Sequence, residues 1–153
     1  NNPPALLQIA TADQAFLFRL YPVMRLGPLK KILEDPGIIK TGVAIKDDVY
    51  NLKKIEEFEA AGFEDLAPLA QSLEIEQTGL RNLTAIFFSH RLSKSAQLSN
   101  WQKRPLSTSQ MNYAATDAWI SRELYLIMKA RIAAQPVKKK RSRSSGKNSS
   151  DSS

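Results

Sequence analysis

Apolar positions recur along the chain in two periods. Leu6–Ala10 and Phe16–Leu20 are short apolar runs on either side of "ADQ", and read as two strands joined by a turn. Leu26, Leu29, Ile32 and Leu33 share one helical face until Pro36–Gly37 stops it. "GIIKTGVAI" is a β-branched run and predicts a buried strand. "KDDVYNLKKIEEFEAAG" predicts a second helix, closed by Gly62. "FEDLAPLAQSLE" predicts a brief strand or turn and then a helix. "TGLRNLTAIFFSHRL" predicts another, with Leu80, Leu83, Ile86 and Phe87 inward. A loop anchored by Trp101 follows, and Ser107 and Gln110 stand at capping-box spacing before a long final helix. Strands come early, helices late, and no segment repeats. The pattern predicts an α/β domain whose small mixed sheet is covered by helices.

One residue breaks the pattern of the final helix. From Tyr113, the positions i+4, i+7, i+11 and i+14 are Asp117, Ile120, Leu124 and Ile127, all on one stripe. Three of these are core residues and the fourth is a carboxylate. A charge on a buried stripe requires compensation by a basic partner, hydrogen bonds, a raised pKa or a cation. Tyr113 sits one turn away on the same face, so a local Tyr–Asp hydrogen bond is the simplest account.

A second aspartate shares the property. In "KDDVYNLKKI", Asp48, Leu52 and Ile55 form an inward stripe, while Asp47 points aside with Asn51 and Lys54. Either aspartate could also serve merely to cap the helix. Two inward aspartates on separate helices at the ends of sheet elements would make an oxygen-only site suited to Mg²⁺ or Mn²⁺. Sites of this kind handle phosphate substrates, often with two ions ~4 Å apart.

Composition narrows the choice by exclusion. The chain has 153 residues, no cysteine and a single histidine, His90. Thiolate chemistry is therefore absent, and a multi-histidine zinc site cannot be built. Neither G-x-G-x-x-G nor a Walker loop occurs. No apolar run approaches the ~20 residues of a membrane span, so no membrane partner is expected. The net charge of +7 is concentrated at one end: Lys138–Ser153 carries six Lys or Arg against Asp151, leaving 16 basic and 14 acidic residues elsewhere. Residues 134–153 are expected to form a disordered basic Ser/Lys/Arg tail, either solubilising or loosely attractive to phosphate.

At this point the motifs resemble a family. "KTGVAIKDDVYNL" resembles the second motif, and "SNWQKRPLSTSQMNYAATDAW" the third, of the DEDD-superfamily 3′–5′ exonucleases. "ALLQIAT…FLFRL" resembles the strand pair that follows the first motif. Tyr113, four residues before Asp117, marks the tyrosine subtype. The resemblance spans roughly residues 5 to 130 and is nearest to Werner-type exonuclease domains and ribonuclease D.

The resemblance implies a ribonuclease H-like mixed sheet flanked by helices over residues 1–133. It implies two-metal phosphodiester hydrolysis at nucleic-acid 3′ ends, with two Mg²⁺ or Mn²⁺ ions. Asp48 would be the third metal carboxylate and Asp117 the fourth; Tyr113 would orient the attacking water. Lys94 and Arg104 resemble basic positions near the site, where they either touch phosphate or serve structure. Trp101 either packs or stacks on a base. The Werner-type likeness leans to DNA over RNA, and the location expected is intracellular: cytoplasmic in a bacterium, nuclear in a eukaryote.

The family's first motif, Asp-x-Glu, does not occur in the sequence. It is expected upstream of Ala5, on a first strand that the chain lacks. On that expectation the 153-residue chain is inactive or impaired as a nuclease. The alternative is a non-catalytic nucleic-acid-binding module that has lost its metal site. Retention of Asp48, Tyr113 and Asp117 together favours the exonuclease.

Overall fold

The computed structural model describes residues 4–92 and 97–137. Lys94 and the basic tail from Lys138 onward lie outside the described residues.

Two strands, β1 (Leu6–Ala10) and β2 (Ala15–Arg19), form an antiparallel hairpin with Leu6 opposite Arg19 and Ala10 opposite Ala15. The turn closes through Thr11 N–H donating to the Gln14 carbonyl at 2.8 Å. Helix α1 (Leu29–Glu34) ends where Asp35 turns extended, one residue before the Pro–Gly pair. Strand β3 (Lys40–Gly42) pairs in parallel with β4 (Phe63–Asp65), Gly42 opposite Asp65. Helices α2 (Ile45–Lys53), α3 (Leu66–Ser72), α4 (Leu80–Phe88) and α5 (Thr108–Ala133) complete the order.

Three elements depart from the sequence pattern. The β-branched run gives a strand of only three residues, because Ile38 turns back to bond the Asp35 carbonyl and Ile38 and Ile39 stay exposed. Helix α2 stops at Lys53, well before Gly62. Its continuation is held instead by α1: Glu59 N–H donates to Glu34 and Ala61 N–H to the Leu33 carbonyl, which buries Phe58. On α4, Ile86 is 49% exposed and Thr84 is fully buried, its hydroxyl donating to the Leu80 carbonyl at 2.6 Å. A Thr that bonds back into its own helix is satisfied without water, so it can face the core.

The strands form two separate two-stranded sheets among the described residues, not one mixed sheet. Two apolar clusters match this division. One gathers Leu20, Leu26, Leu29, Leu33, Leu52 and Phe58 beneath the hairpin, α1 and α2. The other gathers Leu66, Leu83, Ile120, Leu124 and Met128 between α3, α4 and α5. Helix α5 packs against β1, β2 and β3 as well as α3 and α4. It is the element that joins the two halves. Two side-chain links reinforce it: Trp119 Nε1–H donates to the Ala12 carbonyl at 3.2 Å, and the Tyr125 hydroxyl bonds Glu64 of β4.

Candidate active site

The start of α5 is built by a reciprocal cap. The Ser107 hydroxyl accepts from Gln110 N–H at 3.0 Å, and the Gln110 side-chain oxygen accepts from Ser107 N–H at 3.0 Å. Sequence spacing pointed to this pair. It did not show that the Gln110 amide also donates to the Ser99 hydroxyl at 2.9 Å and the Asn100 carbonyl at 3.0 Å. Those bonds hold the preceding loop against the helix, and Trp101 on that loop packs beside Tyr113, ring centroids 6.1 Å apart. The loop is tied to the hairpin as well. Arg104 donates to the Tyr21 carbonyl and Arg19 to the Lys103 carbonyl, each at 3.3 Å.

Tyr113 and Asp117 face a cavity of about 360 Å³. Leu6 and Gln8 of β1 line one side, Gln97 and Trp101 another. The Tyr113 hydroxyl hydrogen-bonds the Asp117 carboxylate. Asp117 Oδ1 is buried and has no hydrogen-bond partner. Burial raises the carboxyl, the tyrosine's bond offsets part of that, and the net is a carboxyl pushed up to about 6. Burial likewise raises the Tyr113 phenol, and the adjacent Asp117 charge raises it further. At neutral pH this phenol is a hydrogen-bond donor, not a base.

Asp48 lies in the first turn of α2 and is exposed like Asp47, not turned inward with Leu52 as its helical phase predicted, because the first turn stands at the open end of the helix. Partial desolvation, then the neighbouring Asp47 and Asp65 charges, push its carboxyl up to about 6. Asp65 is the residue that sequence reading missed. One of its carboxylate oxygens accepts from Ile45 N–H, the other from Ala67 N–H, each at 2.9 Å. One side chain thereby caps both α2 and α3. The signal was an Asp directly before an apolar helical run, in "FEDLAPL".

Asp48 and Asp117 stand on different helices, and no group of three or more His, Asp or Glu poised for a metal occurs among the described residues. The two aspartates nonetheless fit a divalent cation in one respect. Both are raised carboxylates without a basic partner, and Asp117 holds an unpaired buried oxygen. Among the expected substrate contacts, Arg104 is bound to the hairpin backbone and Trp101 packs on Tyr113, while Lys94 lies outside the described residues. His90 is exposed just beyond α4.

A mixed α/β chain with an uncompensated Tyr–Asp pair on its central helix has clear relatives. The family model described as "3'-5' exonuclease" matches residues 2–133. The chain belongs to the 3′–5′ exonuclease domain family of the DEDD superfamily.

It is 29% identical over 120 residues to DNA polymerase I of Aquifex aeolicus, covering 78% of this chain and 20% of that protein. It is 31% identical over 128 residues to the mouse bifunctional 3′–5′ exonuclease/ATP-dependent helicase WRN, covering 79% of this chain and 9% of that protein. Among solved structures it superposes on Escherichia coli RNase D with a TM-score of 0.75 at 25% identity. That match covers 85% of this chain and 35% of the other. The chain spans about a fifth to a third of the length of the first curated relatives it matches. These neighbours give the fold as ribonuclease H-like.

Proposed function

We propose that residues 4–133 form most of the active domain of a tyrosine-subtype, metal-dependent 3′–5′ exonuclease, with Asp48 and Asp117 as metal ligands and Tyr113 as the water-orienting residue. The observation that carries this reading is the buried, unpartnered Asp117 Oδ1 beside Tyr113, on the helix that the family model covers. A bound divalent ion would supply Lewis-acid activation of water and stabilisation of charge on phosphorus.

The chain's own residues do the rest. Asp117 lines the cavity, holds one buried oxygen that has no hydrogen-bond partner, and takes a bond from Tyr113. The Tyr113 hydroxyl, kept protonated, donates a hydrogen bond and so can fix the orientation of a water or of the carboxylate. Asp65 fixes the first turn of α2, and with it the position of Asp48.

β1 has a ladder partner only in β2, and β3 only in β4, among the described residues; both strands pack on α5. A further strand between them would unite the two sheets. Side chains on it would overlook the cavity that holds Asp117, Leu6 and Gln8. We assign the two remaining carboxylates to such a strand, in an Asp-x-Glu motif that the chain does not contain.

Relatives named for DNA and for RNA match alike, so the DNA leaning of the sequence motifs gains no support. The substrate proposed is a single-stranded 3′ end of either sugar, gripped chiefly by its backbone.

Two measurements test the reading. Mn²⁺ titrated into the chain should bind, and Asp117→Ala should abolish that binding. A 3′-labelled oligonucleotide should be degraded slowly, if at all, by the chain alone, and rapidly once an Asp-x-Glu strand is joined upstream. DNA and RNA substrates run in parallel fix the sugar preference. Normal Mn²⁺ binding by Asp117→Ala would overturn the metal assignment.

A further inference from the structure

Gln110 is only 6% exposed, and its side-chain amide is engaged through both oxygen and nitrogen. The oxygen accepts from Ser107 N–H and completes the cap of α5. The nitrogen donates to the Ser99 hydroxyl at 2.9 Å and to the Asn100 carbonyl at 3.0 Å. A capping box needs the oxygen alone, and a glutamate serves it equally well. The two nitrogen bonds are therefore surplus to the cap. They tie residues 99–100 to the helix from a site shielded from water, where hydrogen bonds are strong.

The segment so held is a wall of the Asp117 cavity. Trp101 directly follows Asn100 and lines that cavity together with Tyr113 and Asp117. Its ring lies 6.1 Å from the Tyr113 ring, tilted by 41°. Tyr113 stands one turn after Gln110 on α5, so helix, amide and loop form a closed circuit of contacts that returns to Tyr113. The other bonds of the loop lead elsewhere. Trp101 Nε1–H donates to Gln97 of the same loop, and Arg19 and Arg104 link the loop to the hairpin, each at 3.3 Å and exposed.

We propose that Gln110 is a positioning residue for the reaction: its amide nitrogen clamps the Trp101 loop to α5, and the clamped Trp101 ring sets the pose of Tyr113. The consequence for catalysis rests on the exonuclease reading, in which Tyr113 orients the attacking water. A functional side chain keeps its geometry only when packing locks its rotamer, and a misplacement of about 1 Å can cost up to ~100-fold in rate. Gln110 itself touches neither substrate nor reacting atoms.

Two variants separate clamp from cap. Gln110→Glu keeps the oxygen that accepts from Ser107 N–H and loses the donors; Ser107→Ala loses the capping hydroxyl and keeps the donors. Nuclear Overhauser contacts between the Trp101 and Tyr113 rings, measured on the whole chain, report the pose. They should vanish or weaken severalfold in Gln110→Glu and persist in Ser107→Ala. Circular dichroism checks the fold. Should Gln110→Glu not fold, Ser99→Ala removes one of the two acceptors and should weaken the ring contacts in part. Intact ring contacts in Gln110→Glu, or in Ser99→Ala where that variant stands in for it, or equal loss in Ser107→Ala, would overturn the clamp. In the chain completed with an Asp-x-Glu strand, Gln110→Glu should slow single-turnover hydrolysis by roughly tenfold and add little on top of Tyr113→Phe, because both act through one hydroxyl. Fully additive losses would refute the positioning role. Absence of hydrolysis by the completed wild-type chain would instead strike the exonuclease reading, and the ring contacts would still decide the clamp.

Discussion

The Asp65 carboxylate accepts the backbone N–H of Ile45, twenty residues upstream, at 2.9 Å. Its other oxygen accepts from Ala67 at 2.9 Å. A carboxylate at the end of β4 thus closes the N-termini of two helices, and one of them carries Asp48 in its first turn. Loss of a single such cap costs about 1 kcal/mol, so Asp65→Ala should destabilise the chain by about 2 kcal/mol. Asp65→Asn, with one acceptor oxygen left, should fall between. Urea unfolding measures both; a loss below about 0.5 kcal/mol for the alanine variant would show that the caps are redundant.

Acidity should report on the two raised carboxylates. Asp48 and Asp117 are both pushed up to about 6 in the folded chain. In the unfolded chain they return to about 3.9. Between about pH 4 and 6 the folded state therefore holds more protons than the unfolded state, and stability falls as pH rises through that window. Above it the loss is complete. Asp117→Asn removes one of the two groups, so the difference in urea midpoint between wild type and variant should grow in the variant's favour from pH 4 to 7. A difference that does not change with pH would contradict the burial of this carboxylate.

Divalent cation should act in the opposite direction. An ion that binds the ionised carboxylate stabilises the folded chain by mass action. Mg²⁺ should raise the wild-type thermal midpoint more at pH 7 than at pH 5, and should leave Asp117→Ala unmoved at both.

The junction role of α5 predicts a sharp contrast along one helix. Leu124 is fully buried, whereas Leu126 is 45% exposed. Leu124→Ala should cost about 3 kcal/mol, and Leu126→Ala less than about 1 kcal/mol. Comparable costs in denaturant unfolding would mean that α5 is not packed as described.

Tyr113→Phe keeps the ring that packs on Trp101 and removes the hydroxyl bonded to Asp117. In the chain completed with an Asp-x-Glu strand, single-turnover hydrolysis should fall by roughly tenfold to a hundredfold, as for loss of a hydrogen bond that orients a metal ligand. Oligonucleotide affinity in EDTA should stay near wild type. Unchanged hydrolysis would remove Tyr113 from the reaction.

The sequence by itself determined the element order, the hairpin turn, the Ser107–Gln110 cap and the anomaly at Asp117. All of these rest on short-range rules: period, turn residues and hydrogen bonds over three or four positions. Ile120 and Leu124 entered the core as their helical phase required. The two motifs around Asp48 and Asp117 also specified the family, because their spacing along the chain is itself the signature.

Tertiary structure alone decided the rest. Helical periodicity carried α2 on to Gly62, but bonds to α1 drew the chain away after Lys53 to bury Phe58. An apolar run promised a long strand at β3, yet only three residues found a partner. Asp65 became the shared cap, and Arg104 a loop anchor, through contacts 20 and 83 residues distant in sequence. Periodicity reports which face of an element is apolar. It carries no information on which distant carbonyl, carboxylate or strand edge will meet that element, and those meetings set the electrostatics of the site.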